Sequence, residues 1–134
     1  CTVLDLGCGD GHLLQRLAAA RPDCRYTGIE HAPLPWLLAK LRHLRRPNVT
    51  IRYGNFWQLD LDAFDVVYAF LSPAPMPALA DKVAAGMAPG KLLISNSFLV
   101  PGCVPDQVVA VDDRRQSRLF CYKTDLKTPS KLRN

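Results

Sequence analysis

Short apolar runs alternate along this chain with segments whose apolar residues recur at helical spacing. The apolar runs have the length of strands and cover residues 2–6, 25–30, 49–53, 64–70 and 91–98. Helical spacing follows the first, second and fourth of these runs, over residues 11–20, 35–46 and 76–87. The pattern predicts strands that alternate with helices.

The second helical segment, residues 35–46, has two contrasting faces. Leucines occupy one face and basic residues the other, which is typical of an amphipathic helix. The basic cluster from Arg42 to Arg46 is interpreted as the solvated face of this helix. The leucines that share the opposite face are Leu37, Leu38, Leu41 and Leu44.

The last part of the chain changes character. Apolar runs at 106–111 and 118–123 are separated by the charged stretch DDRRQS, which predicts an antiparallel hairpin. Strands that alternate with helices imply a parallel sheet covered on both faces. The predicted fold is therefore α/β, a Rossmann-like doubly wound, mostly parallel sheet with a C-terminal antiparallel hairpin. We expect one domain over residues 1–122, followed by a basic C-terminal tail over residues 123–134.

Composition narrows the class of protein. The 134 residues carry a formal charge of +5, a sequence pI near 9.1 and 49% apolar residues, as expected of a single globular domain. The basic residues are dispersed, so charge alone does not indicate a nucleic-acid partner. No apolar run is long enough to span a bilayer and no signal peptide is visible. The first residue is Cys1 and not Met, from which we expect further residues upstream.

The five cysteines form no CxxC pair and are odd in number. Neither a disulfide framework nor a zinc site is therefore indicated, and no metal is expected. A reducing, cytoplasmic setting follows as the default expectation.

The stretch VLDLGCGDGH, residues 3–12, places Gly7, Gly9 and Gly11 directly behind the first apolar run. Glycine loses the most backbone entropy on folding, so three glycines at alternate positions indicate a need for space. In open parallel sheets, the loop after the first strand approaches the ligand. The helix that begins near Gly11 turns free N–H groups toward the same place, which favours a carboxylate or a phosphate.

Two acidic residues define the ligand further. Asp5 lies just before the glycines, where a carboxylate would repel a pyrophosphate but hold an ammonium group. Glu30 ends the second apolar run, where an acid accepts hydrogen bonds from both hydroxyls of a ribose. An amino acid joined to a nucleoside describes S-adenosylmethionine, which is the cofactor we expect.

These residues resemble the first motif of class I S-adenosylmethionine-dependent methyltransferases, an acidic residue and one spacer before GxGxG, with a second acid after the second strand. The order of elements is similar to that family over nearly the whole chain. A narrower resemblance, to small relatives of the mitochondrial lysine methyltransferases acting on ATP synthase c subunit and adenine nucleotide translocase, rests on the stretches GIEHAPLPWLLAKLR, NFWQLDLDAFDVVYAFLSPAPMPALADK and SNSFLVPG.

The resemblance implies further residues of the site. Asn55 is expected to meet the adenine amino group and Phe56 to line the adenine plane. His31, beside Glu30, and Phe70, after the fourth strand, complete the expected cofactor-binding set. Asn55 also has a simpler interpretation, as a residue that satisfies a turn.

We also expect the loop from Phe70 to Pro77 to form a wall of the acceptor site. Its prolines stiffen it, and the residues proposed to bind substrate are Ser72, Pro73 and Met76. No catalytic base is assigned, because the sulfonium is an activated leaving group and alignment can supply most of the acceleration.

The sequence therefore predicts transfer of a methyl group to an unidentified acceptor, a protein lysine or a small molecule. Two alternatives remain open. A NAD-dependent oxidoreductase would use the same glycines and acid, although His12 stands where its third glycine belongs. A subunit that binds S-adenosylmethionine without catalysis is compatible with the same fold.

Overall fold

A computed structural model describes residues 1–124 of the chain. Within these residues there are two compact units, which divide between Leu59 and Asp60. Strands and helices alternate in the predicted order, and the seven strands belong to a mostly parallel sheet with antiparallel C-terminal strands. The predicted fold class is thereby confirmed. Most of the predicted basic tail, residues 125–134, lies outside the described residues.

The first unit holds three parallel strands and two helices. Its elements are β1 (Thr2–Leu6), α1 (His12–Ala20), β2 (Arg25–Glu30), α2 (Pro33–Arg42) and β3 (Val49–Tyr53), followed by a 3₁₀ turn (Phe56–Gln58). Strand β2 lies between β1 and β3, with Asp5 beside Gly28 and Glu30 beside Tyr53. Because β1 and β2 are parallel, Asp5 and Glu30 are both carried near the carboxyl ends of neighbouring strands.

The second unit continues the alternation and then reverses direction. Its elements are a 3₁₀ turn (Leu61–Ala63), β4 (Val66–Ala69), α3 (Met76–Gly86), β5 (Lys91–Asn96), β6 (Gln107–Ala110) and β7 (Arg118–Thr124). Strands β4 and β5 are parallel, whereas β7 runs antiparallel to both β5 and β6. The predicted terminal hairpin is therefore present.

Helix α2 differs from its prediction in both its bounds and its orientation. It begins at Pro33, whose fixed φ suits the first helical position, and it ends at Arg42. The leucines expected to oppose the solvated face are themselves exposed, and Ala39 is the helix residue that is fully buried. The basic residues Lys40, Arg42 and Arg45 are exposed as expected, and the leucines opposite them are exposed as well.

The structure also pairs Cys1 with Cys24 in a disulfide, which the cysteine spacing did not indicate. The sheet register explains this pairing. Thr2 of β1 lies beside Arg25 of β2, so the residues that precede them are brought side by side, with their Cα atoms 4.8 Å apart. Separated by 23 residues in sequence, the two cysteines become neighbours only once the strands pair.

No helix within residues 1–124 combines the length and the apolar character needed to cross a membrane. The same part of the chain contains no cluster of three or more metal-ligating side chains.

Candidate functional site

The three glycines between β1 and α1 all adopt left-handed backbone angles. Their φ values are 66° at Gly7, 58° at Gly9 and 78° at Gly11. Residues with a Cβ are strained in this region, so the turn requires glycine at each alternate position. The loop is tied to the end of β2, because the Cys8 amide donates to the Ile29 carbonyl over 3.0 Å.

The surroundings of Gly9 and Gly11 differ, so a side chain would have different consequences at the two positions. A Cβ at Gly11 would lie 2.9 Å from Nε2 of His43 and 3.2 Å from the Cβ of Ala39, so α2 packs against this glycine. A Cβ at Gly9 would meet no described atom within 4 Å. Packing within the chain therefore leaves space beside Gly9, as a loop that receives a ligand requires.

Glu30 fixes the glycine loop to the end of β2. This glutamate is buried, and its Oε1 accepts a hydrogen bond from the Gly9 amide over 2.8 Å. Its Oε2 accepts from the Ala32 amide over 3.0 Å. Each carboxylate oxygen has a further lone pair, so Glu30 can still accept hydrogen bonds from two hydroxyl groups of a ligand.

Asp5 is a buried acid beside a second acid. Only 4% of its surface is exposed. Burial, and then repulsion from Glu30, raises the pKa of Asp5 to about 7 from 3.8. A cation placed next to this carboxyl group would favour its ionised form, which fits the ammonium group of an amino acid. Asp5 and Glu30 are thus two buried acids near the carboxyl ends of neighbouring strands, with open space beside Gly9.

The raised pKa of Asp5 predicts a pH-dependent stability and affinity. The folded chain keeps the Asp5 proton to a higher pH than the unfolded chain, so this contribution to the free energy of unfolding is lost as pH rises through about 7. A ligand with an ammonium group prefers the ionised acid, so the affinity for S-adenosylhomocysteine should rise from about pH 5 to about pH 8.

Asp5→Asn should flatten both pH profiles, because an amide does not titrate. Chemical denaturation and calorimetry at several pH values measure the two effects. Asp23→Asn is a matched control, since Asp23 is an exposed acid paired with Arg21. Parallel pH profiles of affinity for the wild type and Asp5→Asn would exclude Asp5 from the ligand site.

The residues expected around the adenine follow β2 and β3 in the chain. Oδ1 of Asn55 accepts from the Trp57 amide over 3.2 Å and so caps the 3₁₀ turn, which is the simpler role considered for it. Phe56 is half-buried, with its ring centroid 4.2 Å from that of Trp57. His31 is exposed, with Nδ1 3.6 Å from Oε2 of Glu30.

The residues expected on the acceptor side lie in the second unit. Phe70 is exposed directly after β4, and the guanidinium carbon of Arg115 lies 5.7 Å from its ring centroid. Ser72 and Pro73 are exposed in the following loop. Met76 is the first residue of α3 and is fully buried, so its side chain presents no surface to an acceptor.

Two positions of this region were not singled out from the sequence. A Cβ at Gly28 would lie 2.7 Å from Cδ1 of Leu14 and 2.8 Å from Sγ of Cys8, so this glycine lets α1 and the loop pack on β2. A glycine inside an apolar strand is the sequence signal for such a close approach.

His43 is the second such position. It is buried, and its Nε2 lies 2.9 Å from the carbonyl oxygen of Gly11, so the ring donates from Nε2 and holds the end of the glycine loop. Burial lowers the pKa of His43, which keeps the ring neutral. No local pattern distinguishes this histidine, because its partner is 32 residues away.

Solved structures share this arrangement of strands and helices. An RNA methyltransferase from Salinibacter ruber, in complex with S-adenosyl-L-homocysteine, matches with a TM-score of 0.80 at 25% identity, over 92% of this chain and 80% of that one. Fibrillarin from Aeropyrum pernix, with bound S-adenosyl-L-methionine, has the same fold, with a TM-score of 0.70 at 17% identity over 90% of this chain and 65% of that one.

Two proteins of similar sequence are lysine methyltransferases. A protein-lysine N-methyltransferase of Saccharolobus islandicus is 30% identical over 115 residues, which cover 83% of this chain and 71% of that protein. The adenine nucleotide translocase lysine N-methyltransferase of Mus musculus is 30% identical over 125 residues, 90% of this chain and 52% of that protein. Fold, site and relatives together define a methyltransferase that depends on S-adenosylmethionine. More narrowly, the chain belongs to the family of the ANTKMT methyltransferase domain, which matches residues 5–107.

The expected class, cofactor and family resemblance are thus confirmed, and the oxidoreductase alternative is set aside. The chain spans about half the length of its mouse relative.

Proposed function

We propose that this chain transfers the methyl group of S-adenosylmethionine to the side-chain amine of a lysine in a protein. The observation that carries the proposal is that two relatives, each 30% identical over most of this chain, are both lysine methyltransferases. The cofactor supplies an activated methyl group on a sulfonium. The lysine amine attacks as a free base, the carbon–sulfur bond breaks, and a proton leaves the resulting methylammonium.

In this proposal the cofactor lies along the carboxyl ends of β1, β2 and β3. Asp5 holds its ammonium group, the open backbone at Gly9 receives its aminoacyl part, and Glu30 accepts from its ribose hydroxyls. One glycine loop and two buried acids would thus hold the ammonium group and the ribose hydroxyls of the cofactor. The remaining cofactor-binding positions that we propose are Gly7, Gly11, His31, Asn55, Phe56 and Phe70.

The acceptor side is proposed to include Ser72 and Pro73, within a methyltransferase domain of residues 1–122. Both residues are exposed in a loop whose prolines restrict the backbone, so the acceptor meets a surface that loses little entropy on binding. The burial of Met76 supports a structural role for that residue, and Met76→Ala is expected to act on stability and not on acceptor binding.

Transfer of a radiolabelled methyl group from S-adenosylmethionine to a protein extract tests the proposal. After acid hydrolysis, the label should appear as methylated lysine. Ser72→Ala should lower the rate of labelling while leaving the affinity for S-adenosylhomocysteine within about threefold, or under ~1 kcal/mol. Label found only in RNA or in small molecules would contradict a lysine acceptor without contradicting methyl transfer.

A further inference from the structure

Helix α2 carries a continuous row of exposed leucines. Leu34, Leu37, Leu38 and Leu41 on the helix are 66%, 45%, 46% and 56% exposed, and Leu44 just after it is 73% exposed. We call these five residues the leucine face. Single exposed leucines are common on protein surfaces, but five within eleven residues form an apolar patch that needs an explanation.

The leucine face points away from the core of its unit. At about 100° per residue, the four helical leucines fall within an arc of about 100°. The inward side of α2, directly opposite, is formed by Trp36 and Ala39, which belong to the core around β2 and β3. The helix therefore has two apolar sides, of which packing within the first unit uses one.

The charged residues on α2 and just after it are all basic. Between Glu30 and Asp60 the chain contains no acidic residue, although it contains five basic ones: Lys40, Arg42, Arg45, Arg46 and Arg52. Arg42 is engaged with Asp10 and with Oε1 of Gln15, over 3.5 Å and 2.9 Å. Lys40 and Arg45 are exposed on and just after the helix. A partner that binds this surface must provide both an apolar environment for the leucines and negative charge for the basic residues.

We propose that the leucine face binds the surface of a membrane that contains anionic lipids. Helices that lie in the membrane interface combine a row of leucines with lysine and arginine on the flanks, which is the pattern of α2. Its ten residues, about 15 Å long, would lie parallel to the bilayer with the leucines among the acyl chains. The proposal concerns the location of the enzyme and does not rest on the identity of the methyl acceptor.

Charge distinguishes the membrane from a second copy of this chain. In a symmetric dimer the same patch meets itself, so Lys40 and Arg45 beside one leucine face would approach those beside the other. Asp10 pairs with Arg42, and the helix segment itself carries no acid that could pair with the other two. Anionic lipid headgroups supply the missing negative charge, at roughly 1 kcal/mol per lysine or arginine near the surface. Lipid chains also accommodate branched side chains without needing a complementary shape.

Sedimentation of the full chain with lipid vesicles tests this proposal. Vesicles of phosphatidylcholine with about one third phosphatidylserine should bind the chain, and binding should weaken in vesicles of phosphatidylcholine alone. The double variant Leu37→Gln/Leu41→Gln should lower the affinity for anionic vesicles roughly tenfold or more. Lys40→Gln/Arg45→Gln should lower it by a similar factor and reduce its dependence on salt.

Two matched variants control for general changes of the surface. Leu99→Gln replaces an exposed leucine of the second unit, and Arg16→Gln removes an exposed charge on α1; neither should change vesicle binding. Because all the changed residues are exposed, the variants should keep the affinity of the wild type for S-adenosylhomocysteine, which shows that they fold.

Three results would overturn the proposal. The first is no binding to anionic vesicles, or equal binding by the wild type and the leucine variant. The second is a concentration-dependent dimer without lipid that Leu37→Gln/Leu41→Gln abolishes, which would assign the leucine face to a second copy. The third is a protein of a cell extract that binds the wild type but not Leu37→Gln/Leu41→Gln, while vesicles bind neither, which would assign the face to a protein partner.

Discussion

Replacing Glu30 with alanine should lower the affinity for S-adenosylhomocysteine roughly 100-fold or more, because two charge-assisted hydrogen bonds of about 1.5–3 kcal/mol each would be lost. A second effect adds to the first. The Gly9 and Ala32 amides both donate to this carboxylate, so its removal also loosens the loop that receives the ligand. Isothermal titration calorimetry on the folded variant measures the change.

Asp60→Ala is the matched control for this substitution. Asp60 is an exposed acid whose Oδ1 accepts from the Asp62 amide, just as Oε2 of Glu30 accepts from the amide two residues on. Loss of the Asp60 carboxylate should leave the affinity for S-adenosylhomocysteine near that of the wild type. An unchanged dissociation constant for folded Glu30→Ala would remove Glu30 from the cofactor site.

The strands and the glycine loop could be predicted because their signals are local. The turn needs left-handed backbone at alternate positions, so Gly7, Gly9 and Gly11 are visible in the sequence without knowledge of their neighbours. Apolar runs of strand length likewise gave the bounds of β1 and β2. Both features depend on residues within one short segment.

The orientation of α2 could not be predicted in the same way. Helical spacing shows which residues share a face, but it does not show which of two apolar faces the sheet will bury. The smaller side chain of Ala39 faces inward because the helix approaches closely here, with Gly11 in contact with Ala39 and His43. That contact joins residues 28 and 32 positions apart, and no local pattern reveals it.

The disulfide and the close packing at Gly28 could not be predicted either, because both depend on residues far apart in the sequence. Cys1 meets Cys24, and Gly28 meets Leu14, only after β1, α1 and β2 have assembled in their register. Met76 shows the opposite error, in which a local feature was given too much weight. Its place after a proline-rich loop suggested exposure, whereas the start of α3 turns its side chain into the core.

Gly9→Val should abolish measurable binding of S-adenosylhomocysteine while the circular dichroism of the helices stays near that of the wild type. A Cβ at Gly9 would have no described atom within 4 Å. A valine side chain therefore has room in the chain without ligand, and it would occupy the place proposed for the ligand. The backbone angle adds a cost of about 1–2 kcal/mol in stability, because φ is 58°.

Gly90→Val separates these two effects. Gly90 also has a positive φ, 88°, and an equally open surrounding, but it lies in the turn before β5, outside the proposed site. Valine there should lower the free energy of unfolding by a similar amount and leave ligand affinity unchanged. If Gly9→Val retains binding, or if both variants weaken it equally, Gly9 serves only the turn, and the close approach of the cofactor to this residue is refuted.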